Sequence, residues 1–441
     1  MIFLRITAVR KRQIGTMRKN IAVIGGGACG MAAAISAARE GACVTIYERN
    51  DRLGKKILAT GNGKCNLGNL SLSIEDYHSD NPSLAARCLE RFGTRETEAF
   101  FHSLGLMIKE KNGYLYPKSE QASSVLDVLR MAVERYGVRV VYEAKVNSLK
   151  RKKDGGFELG WEMEASDSKS PGQREIFDHV ILACGSKAAP KTGSDGSGYQ
   201  LAKQMGLTVT EVVPALVQLH CREDYCKAIA GVRAEAKIHI RDGRQCVVSE
   251  QGELQLTEYG ISGIPVFQLS GQVNQLLKEQ KGKELIAEID FLPEFSKDEW
   301  NQFVEERMGE IPRRNCETAE SFFTGMLHKK LMLLFMKLAG LKTNTLVKDA
   351  GKEQLLTVFR LCREFTLHIT GSHSYDHAQI CAGGVSMKEV SASLEALKVP
   401  GLYLAGELLH VDGRCGGYNL QWAWTSGCLA GRAAAGKDKK K

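Results

Sequence analysis

The sequence predicts an α/β protein in which one domain is built from two separated stretches of chain, with a part-β, part-helical insert between them. Three observations predict it. A strand, a glycine turn, a small-residue helix and a second strand follow one another from Ile21 to Glu48. A second apolar run, Asp178 to Gly185, again stops at glycine. A third, Val399 to Ala405, stops at Gly406-Glu407 and leads into a long helical stretch.

The first unit is the most informative. Ile21 to Ile24 form an apolar run with no polar break, as a strand buried on both faces requires. Gly25, Gly27 and Gly30 give GxGxxG spacing, followed by a helix over Ala28 to Ala38 and a strand over Cys43 to Tyr47. Gly25 suits the tight turn, and Gly27 lets a pyrophosphate reach the backbone. Gly30 lets the helix pack close to the sheet, while Ala28 and the helix N-terminus offer N–H groups to the phosphates. Glu48 stands where an acid accepts hydrogen bonds from a ribose diol, which favours FAD or NAD over NADP. The next stretch, Arg49 to Asn69, is too rich in glycine for a regular element. It reads as a loop wrapped on a polyanionic cofactor, with Arg49, Lys55, Lys56, Gly61, Asn62, Gly63, Cys65 and Asn66 as candidate contacts.

A helix is expected over 83–104, then two short strands joined at Lys111-Asn112-Gly113, a helix over 121–136 and a strand over Val138 to Ala144. Val146 and Gly185 join the cofactor candidates. The polar segment Glu162 to Arg174 reads as a surface connection. The glycines of TGSDGSGY at 192–199 lack GxGxxG spacing, so no second nicotinamide domain is encoded. Alternating segments at Leu207 to Val213, Ala236 to Ile240 and Glu284 to Phe291 suggest antiparallel strands; helical periodicity follows at 296–308, 318–340 and 345–361. These make up the insert, 200–365. A final helix is expected from Tyr418 to Ala435.

The 441 residues suit two or three domains of ordinary soluble composition. The net charge of +9 sits on the ends: residues 1–19 carry +6 and 437–441 carry +3, leaving none on 20–436. A nucleic-acid binder carries its basic excess on the folded body, so no nucleic-acid partner is expected. Thirteen cysteines without a CxxC fit reduced thiols and a cytoplasmic protein, not a disulfide framework or a dithiol reductase. No segment is long and apolar enough for a membrane span; the strongest, Leu331 to Leu341, contains Lys337. Met17, just before the first strand, is a plausible translation start.

ERNDRLGKKILATGNGKCN, TGSDGSGYQLA, GELQLTEYGISG, AGGVSMKEV and GLYLAGELLHVDGRCGGYNLQWAWTSG together resemble one bacterial flavoprotein family, the BaiN-like NAD(P)/FAD-dependent oxidoreductases. The resemblance spans about 20–436. It implies a glutathione-reductase-type FAD-binding Rossmann domain in two segments, 20–199 and 366–436, with an inserted β-barrel and helical domain whose helical part is about 296–361. It implies FAD as resident cofactor and NAD(P)H as transient donor. It also implies reduction of ring C=C bonds in 3-oxo-Δ4/Δ6 bile-acid (steroid) intermediates of bile-acid 7-dehydroxylation. The alternative within the family is an aminoacetone-type amine oxidase using O2. A flavin-binding RNA-modifying or sensor protein is a third class, against which the neutral body weighs. His410 departs from the family, which usually has Asp there.

A reduced flavin carries negative charge around N1 and C2=O. The N–H groups at Gly417 to Leu420, opening the last helix, can stabilise it, with Asn419 and Gln421 adding side chains and Gly406-Glu407 nearby. Hydride transfer to an enone leaves an enolate in need of a proton; the candidate donors are Tyr259, His373, Tyr375 and His377. His368, His373 and His377 are too irregularly spaced for a metal set, and none is expected. Cys65 reads as a buried thiol, not a covalent flavin link.

Overall fold

Ile21 to Ile24 are all but fully buried, and the Ile21, Val23 and Ile24 side chains each contribute about 1.5–3 kcal/mol by leaving water. They form the central strand (Asn20–Ile24) of a five-stranded parallel sheet. The computed structural model describes residues 18–163, 172–279 and 284–436. Most of the basic N-terminal extension, with Met17, and the 437–441 tail lie outside them. In the sheet, Asn20–Ile24 pairs with Cys43–Tyr47 on one side and with His179–Leu182 on the other. Leu402–Leu404 and Arg139–Val141 complete the two edges. Strands more than 350 residues apart thus share one sheet, and the two-segment domain is a fact of the pairing.

The first helix, Ala28–Arg39, and the last, Tyr418–Ala434, lie against each other on this sheet. The contact is close because both present small residues: a Cβ on Gly427 or Gly431 would stand 2.5 Å from the Cys29 oxygen or 2.2 Å from the Ala33 oxygen. An antiparallel meander (Ala144–Arg151, Phe157–Met163, Gln173–Phe177) packs into the same core. The insert is a closed six-stranded antiparallel barrel. In order around it run Leu219–Cys221, Gly260–Gly263, Gln245–Thr257, Arg233–Asp242, Leu285–Asp290 and Phe365–Ser372. Its own core continues into a helical part around Trp300, Phe322, Phe335 and Phe359.

Several local expectations are corrected. The 83–104 helix is two helices, Pro82–Arg91 and Thr94–Ser103, because Gly93 opens the second and its N–H is taken by Glu96 (2.9 Å). The strand over 138–144 stops at Val141; Glu143 turns at φ +54° and its N–H reaches the Asn50 carbonyl. Glu162 to Arg174 is not all connection, since Phe157–Met163 pairs with Gln173–Phe177; residues 164–171 lie outside the described ones. The strand expected over 207–213 starts only at its last residue: Val213–Ala215 pairs antiparallel with Ile380–Ala382, and before it stands a single bridge between Val209 and Val385, with Gly383 and Gly384 at positive φ between the two pairings. The 318–340 helix is split into Ala319–Phe323 and Lys329–Leu338 around Gly325 at φ +94°. The 345–361 stretch is a short 3-10 turn, Val347–Asp349, followed by a helix, Lys352–Leu361. Phe365–Ser372 closes the barrel, so the barrel's own chain runs past residue 365.

Candidate active site

The parallel strands end at Ile24, Tyr47, Leu182 and Leu404, and their C-terminal ends open into one cavity of about 750 Å³. That size suits a cofactor or drug-sized ligand. Two helices begin at its wall without side-chain caps: the first, after Gly27, and the last, after Gly417. The leading N–H groups of a helix have no intrahelical acceptor, so both ends offer donors and a positive dipole to the same space.

At the first end, Gly25 has φ +103°, and a Cβ there would lie 2.4 Å from the Ala183 oxygen. A Cβ on Gly30 would lie 1.9 Å from the Gly25 oxygen, whereas nothing stands within 4 Å of one on Gly27, which with Ala28 faces the cavity. Glu48 is buried on the wall. Its carboxylate accepts from Gly26 N (2.8 Å), Asn50 N (2.8 Å) and Asn50 Nδ2 (2.7 Å). A carboxylate has about four lone-pair sites, so room remains for a ribose hydroxyl.

The basic residues of the loop are paired. Arg49 meets Asp195; burial tends to raise that carboxyl, but hydrogen bonds from Ser197 and then Arg49 hold it below its ordinary range. Lys55 bonds Asn50 (3.1 Å), and Lys56 bonds Glu407 (2.8 Å), which also accepts from Ser186 (2.9 Å). Gly61, Asn62, Asn66, Val146, Gly185 and Gly406 line the cavity as well. Gly63 and Cys65 do not line it. Burial pushes the Cys65 thiol up to about 12, and likewise those of Cys29, Cys184 and Cys415 on the wall, so all four stay protonated.

At the second end, Gly417 has φ +94°, and Asn66 Oδ1 stands beside it, buried and without a hydrogen-bond partner among the described residues. Leu420 and Asn419 line the wall, but the Asn419 amide is used on its own loop. It accepts from Gly413 N (2.8 Å) and donates to the Gly413 oxygen (2.7 Å). Gln421 points the other way, fully buried, donating to Thr97 (2.8 Å) and Thr425 (3.0 Å). It is a core residue, not a cavity one. The open space at Gly27, the unpartnered Asn66 oxygen and the two free helix ends fit a long cofactor with a phosphate at one end and a polar ring at the other.

Of the four proton-donor candidates, only His377 lines the cavity. The Tyr375 hydroxyl donates to the Val212 carbonyl (2.8 Å) under Lys187, so it is committed to structure. His373 stands behind His377, ring centroids 4.8 Å apart, and Tyr259 packs on His373 at 4.5 Å. His368 lies apart, bonded to Glu223 (2.6 Å); among the described residues no group of three or more His, Cys, Asp or Glu converges for a metal. His410, off the cavity wall, faces Thr210 (3.2 Å). Sequence reasoning missed the apolar wall of Leu216, Ile264, Phe267 and Ile380, the hairpin tyrosines Tyr114 and Tyr116, and Arg414, which reaches Glu250 on the barrel (2.8 Å). It also missed His220. No local pattern marks these residues, because tertiary packing alone collects them.

A two-segment parallel sheet, with a cavity at its strand ends between two uncapped helices, defines an oxidoreductase of the dinucleotide-cofactor class. The chain belongs to the HI0933-like family: the family described as "HI0933-like protein Rossmann domain" matches residues 19–433. It is 45% identical to the "3-dehydro-bile acid delta(4,6)-reductase" of Clostridium scindens, over 94% of this chain and 98% of that one. It is 27% identical to the "Ribosomal RNA dihydrouridine synthase" of Haemophilus influenzae, over 92% of this chain and 95% of that one. Among solved structures, it resembles a 3-ketosteroid-delta4-(5alpha)-dehydrogenase from Rhodococcus jostii RHA1 at 16% identity and TM-score 0.45, covering 98% and 100% of the two chains. Among the described residues no helix is long and apolar enough to cross a membrane.

Proposed function

We propose that this protein is an FAD-dependent reductase of ring C=C bonds conjugated to a ketone, acting on 3-oxo-Δ4/Δ6 bile-acid or related steroid intermediates at the expense of NAD(P)H. The observation that carries this reading is the two-part wall of a single cavity. The Rossmann segments supply the cofactor cradle; Leu216, Ile264 and Phe267 of the insert line the same cavity, with His377 and Ile380 from the stretch that follows the last barrel strand. That is an apolar surface with an imidazole at its edge, which suits a fused-ring enone. The name of the 45%-identical relative narrows the class to bile acids.

FAD held there would supply the hydride. Gly27 and Ala28 would bind its pyrophosphate, and Glu48 its ribose. The N–H groups at Gly417 to Leu420 would face the ring edge that becomes anionic on reduction. The insert's apolar side chains orient the substrate and exclude water. His377 holds a proton for the substrate's α-carbon, so that the enolate left by hydride arrival is quenched in place.

The test is anaerobic stopped-flow on the purified yellow protein. NADH or NADPH should bleach the flavin, and a 3-oxo-Δ4 or Δ6 bile acid should restore its colour. Failure of both nicotinamides, with rapid bleaching by an amine and recovery in O2, would replace the reductase with an amine oxidase. Recovery with ribosomal RNA but with no steroid would move the substrate to the uracil C=C, the same conjugated-bond chemistry; the uncharged 20–436 body favours the small molecule.

A further inference from the structure

Behind His377 lies a group of rings that the cofactor and substrate contacts do not require. His220, on the barrel strand Leu219–Cys221, directs Nε2 at Nδ1 of His373, 3.1 Å away. The two rings meet edge-on, centroids 4.5 Å apart. Tyr259 covers both, 5.4 Å from His220 and 4.5 Å from His373. The His373 and His377 ring centroids are 4.8 Å apart, with the ring planes at 34°. The barrel register makes the space: His220 is paired with Gly260 on one side and Gly371 on the other, so neither cross-strand partner brings a side chain of its own and the rings of His373 and Tyr259 can close on the imidazole.

We propose that His220, His373 and His377 form a proton relay, roofed by Tyr259, that resupplies the cavity wall during turnover. The proposal rests on the ene-reductase reading. His377 is exposed in the open cavity, and a substrate seated against it would cover it. The other three rings are only half-buried and remain reachable from outside the cavity. The balance is simple. FAD held in the cradle would supply a hydride for the new C–H bond at the β-carbon, with the C=C electron pair moving to the enolate. The His377 imidazolium gives its N–H proton to the α-carbon and becomes neutral. His373 passes it a proton and takes one from His220, which recovers it from solvent.

A 3.1 Å N–H···N bond needs one nitrogen with a proton and one without, so the His220–His373 pair cannot be doubly charged at that contact. Burial, and then the charges of His220 and His377, lower the His373 pKa from its ordinary value, which keeps it a ready acceptor near neutral pH. The charged groups around the cluster are few. Asp376 lies on the same loop and in the cavity wall, bonded to Ser374, and Lys187 is held over Tyr375.

The experiment uses the holoenzyme and the variants His377→Gln, His373→Gln and His220→Gln. Reoxidation of the reduced enzyme by a 3-oxo-Δ4 steroid should slow on the order of 10²-fold in His377→Gln and about tenfold in His220→Gln. In His220→Gln and His373→Gln, which lie off the cavity wall, flavin content and bleaching by nicotinamide should stay at wild-type levels. Histidine-side-chain NMR titration, which needs no turnover, should show His373 titrating at higher pH once His220 is Gln. Wild-type reoxidation rates in folded His220→Gln and His373→Gln would overturn the relay, as would an unshifted His373 titration. Reduced wild-type enzyme that no enone reoxidises would instead remove the reductase reading, and the titration would still decide whether the imidazoles share protons.

Discussion

Gly417→Ala isolates the ring end of the cofactor cradle. Gly417 sits at φ +94°, where an L-residue costs about 1–2 kcal/mol. The new Cβ would also stand 2.6 Å from Asn66 Oδ1 and 2.8 Å from the Gly68 carbonyl, both too close to hold. Forcing an extra carbon into such a site costs about 1–3 kcal/mol. The sum, about 2–5 kcal/mol, falls where the last helix presents its first N–H groups. Gly63→Ala is the control: φ is +83°, but nothing lies within 4 Å of its Cβ, so only the backbone cost of about 1–2 kcal/mol applies. Fluorescence titration of apoprotein with FAD should therefore give a tenfold or greater loss of affinity for Gly417→Ala beyond that of Gly63→Ala, since 1.4 kcal/mol is about tenfold. Equal affinities in the two variants would refute the assignment of the Gly417 turn to the cofactor.

Three further outcomes follow from the geometry. Glu48→Gln should weaken FAD binding about tenfold or more in the same titration, because an amide cannot accept from Gly26 and both Asn50 donors as a carboxylate does, and hydrogen bonds to charge contribute about 1.5–3 kcal/mol. Gln421→Ala should lower unfolding stability by about 1–3 kcal/mol in urea while leaving the flavin spectrum unchanged, since the side chain serves Thr97 and Thr425. His78 bonds Asp412, which raises its pKa above the ordinary value despite part burial. Its contribution to stability is therefore complete below the unfolded imidazole pKa, about 6.5, and is lost as pH rises through the folded one. Asp412→Asn should abolish that pH dependence of urea midpoints between about pH 6 and 8.

The Rossmann half was legible because its signals are local. Period, glycine spacing and a following acid all lie within thirty residues of Ile21, and the structure keeps the strand, turn and helix there. Helix breaks were not legible where apolar periodicity runs through a turn. Residues 318–340 keep the period while Gly325 reverses the chain, and Gly93 is a helix start in an otherwise continuous pattern. The site divided the same way. Glu48 and the Gly417 turn are sequence-local and line the cavity, whereas Gln421, four residues on, follows the helix round to the core. His220 carried no signal, because its partner lies 153 residues away across a barrel seam.

The last loop explains why the two halves act on one cavity. Arg414 pairs with Glu250 on the barrel (2.8 Å), and Cys415 N donates to Gln268 on the insert helix Ile264–Glu279 (3.0 Å). From the other side, His78 shares a hydrogen bond with Gln272 of that helix (2.9 Å). The Arg414 and Cys415 contacts come immediately before Gly416-Gly417, so the turn that opens the last helix at the cavity wall is also tied to the insert. A displacement of the barrel must strain that turn. The cofactor cradle and the histidine-bearing wall are consequently set in one frame, although the chain that makes the first wall is interrupted by the chain that makes the second.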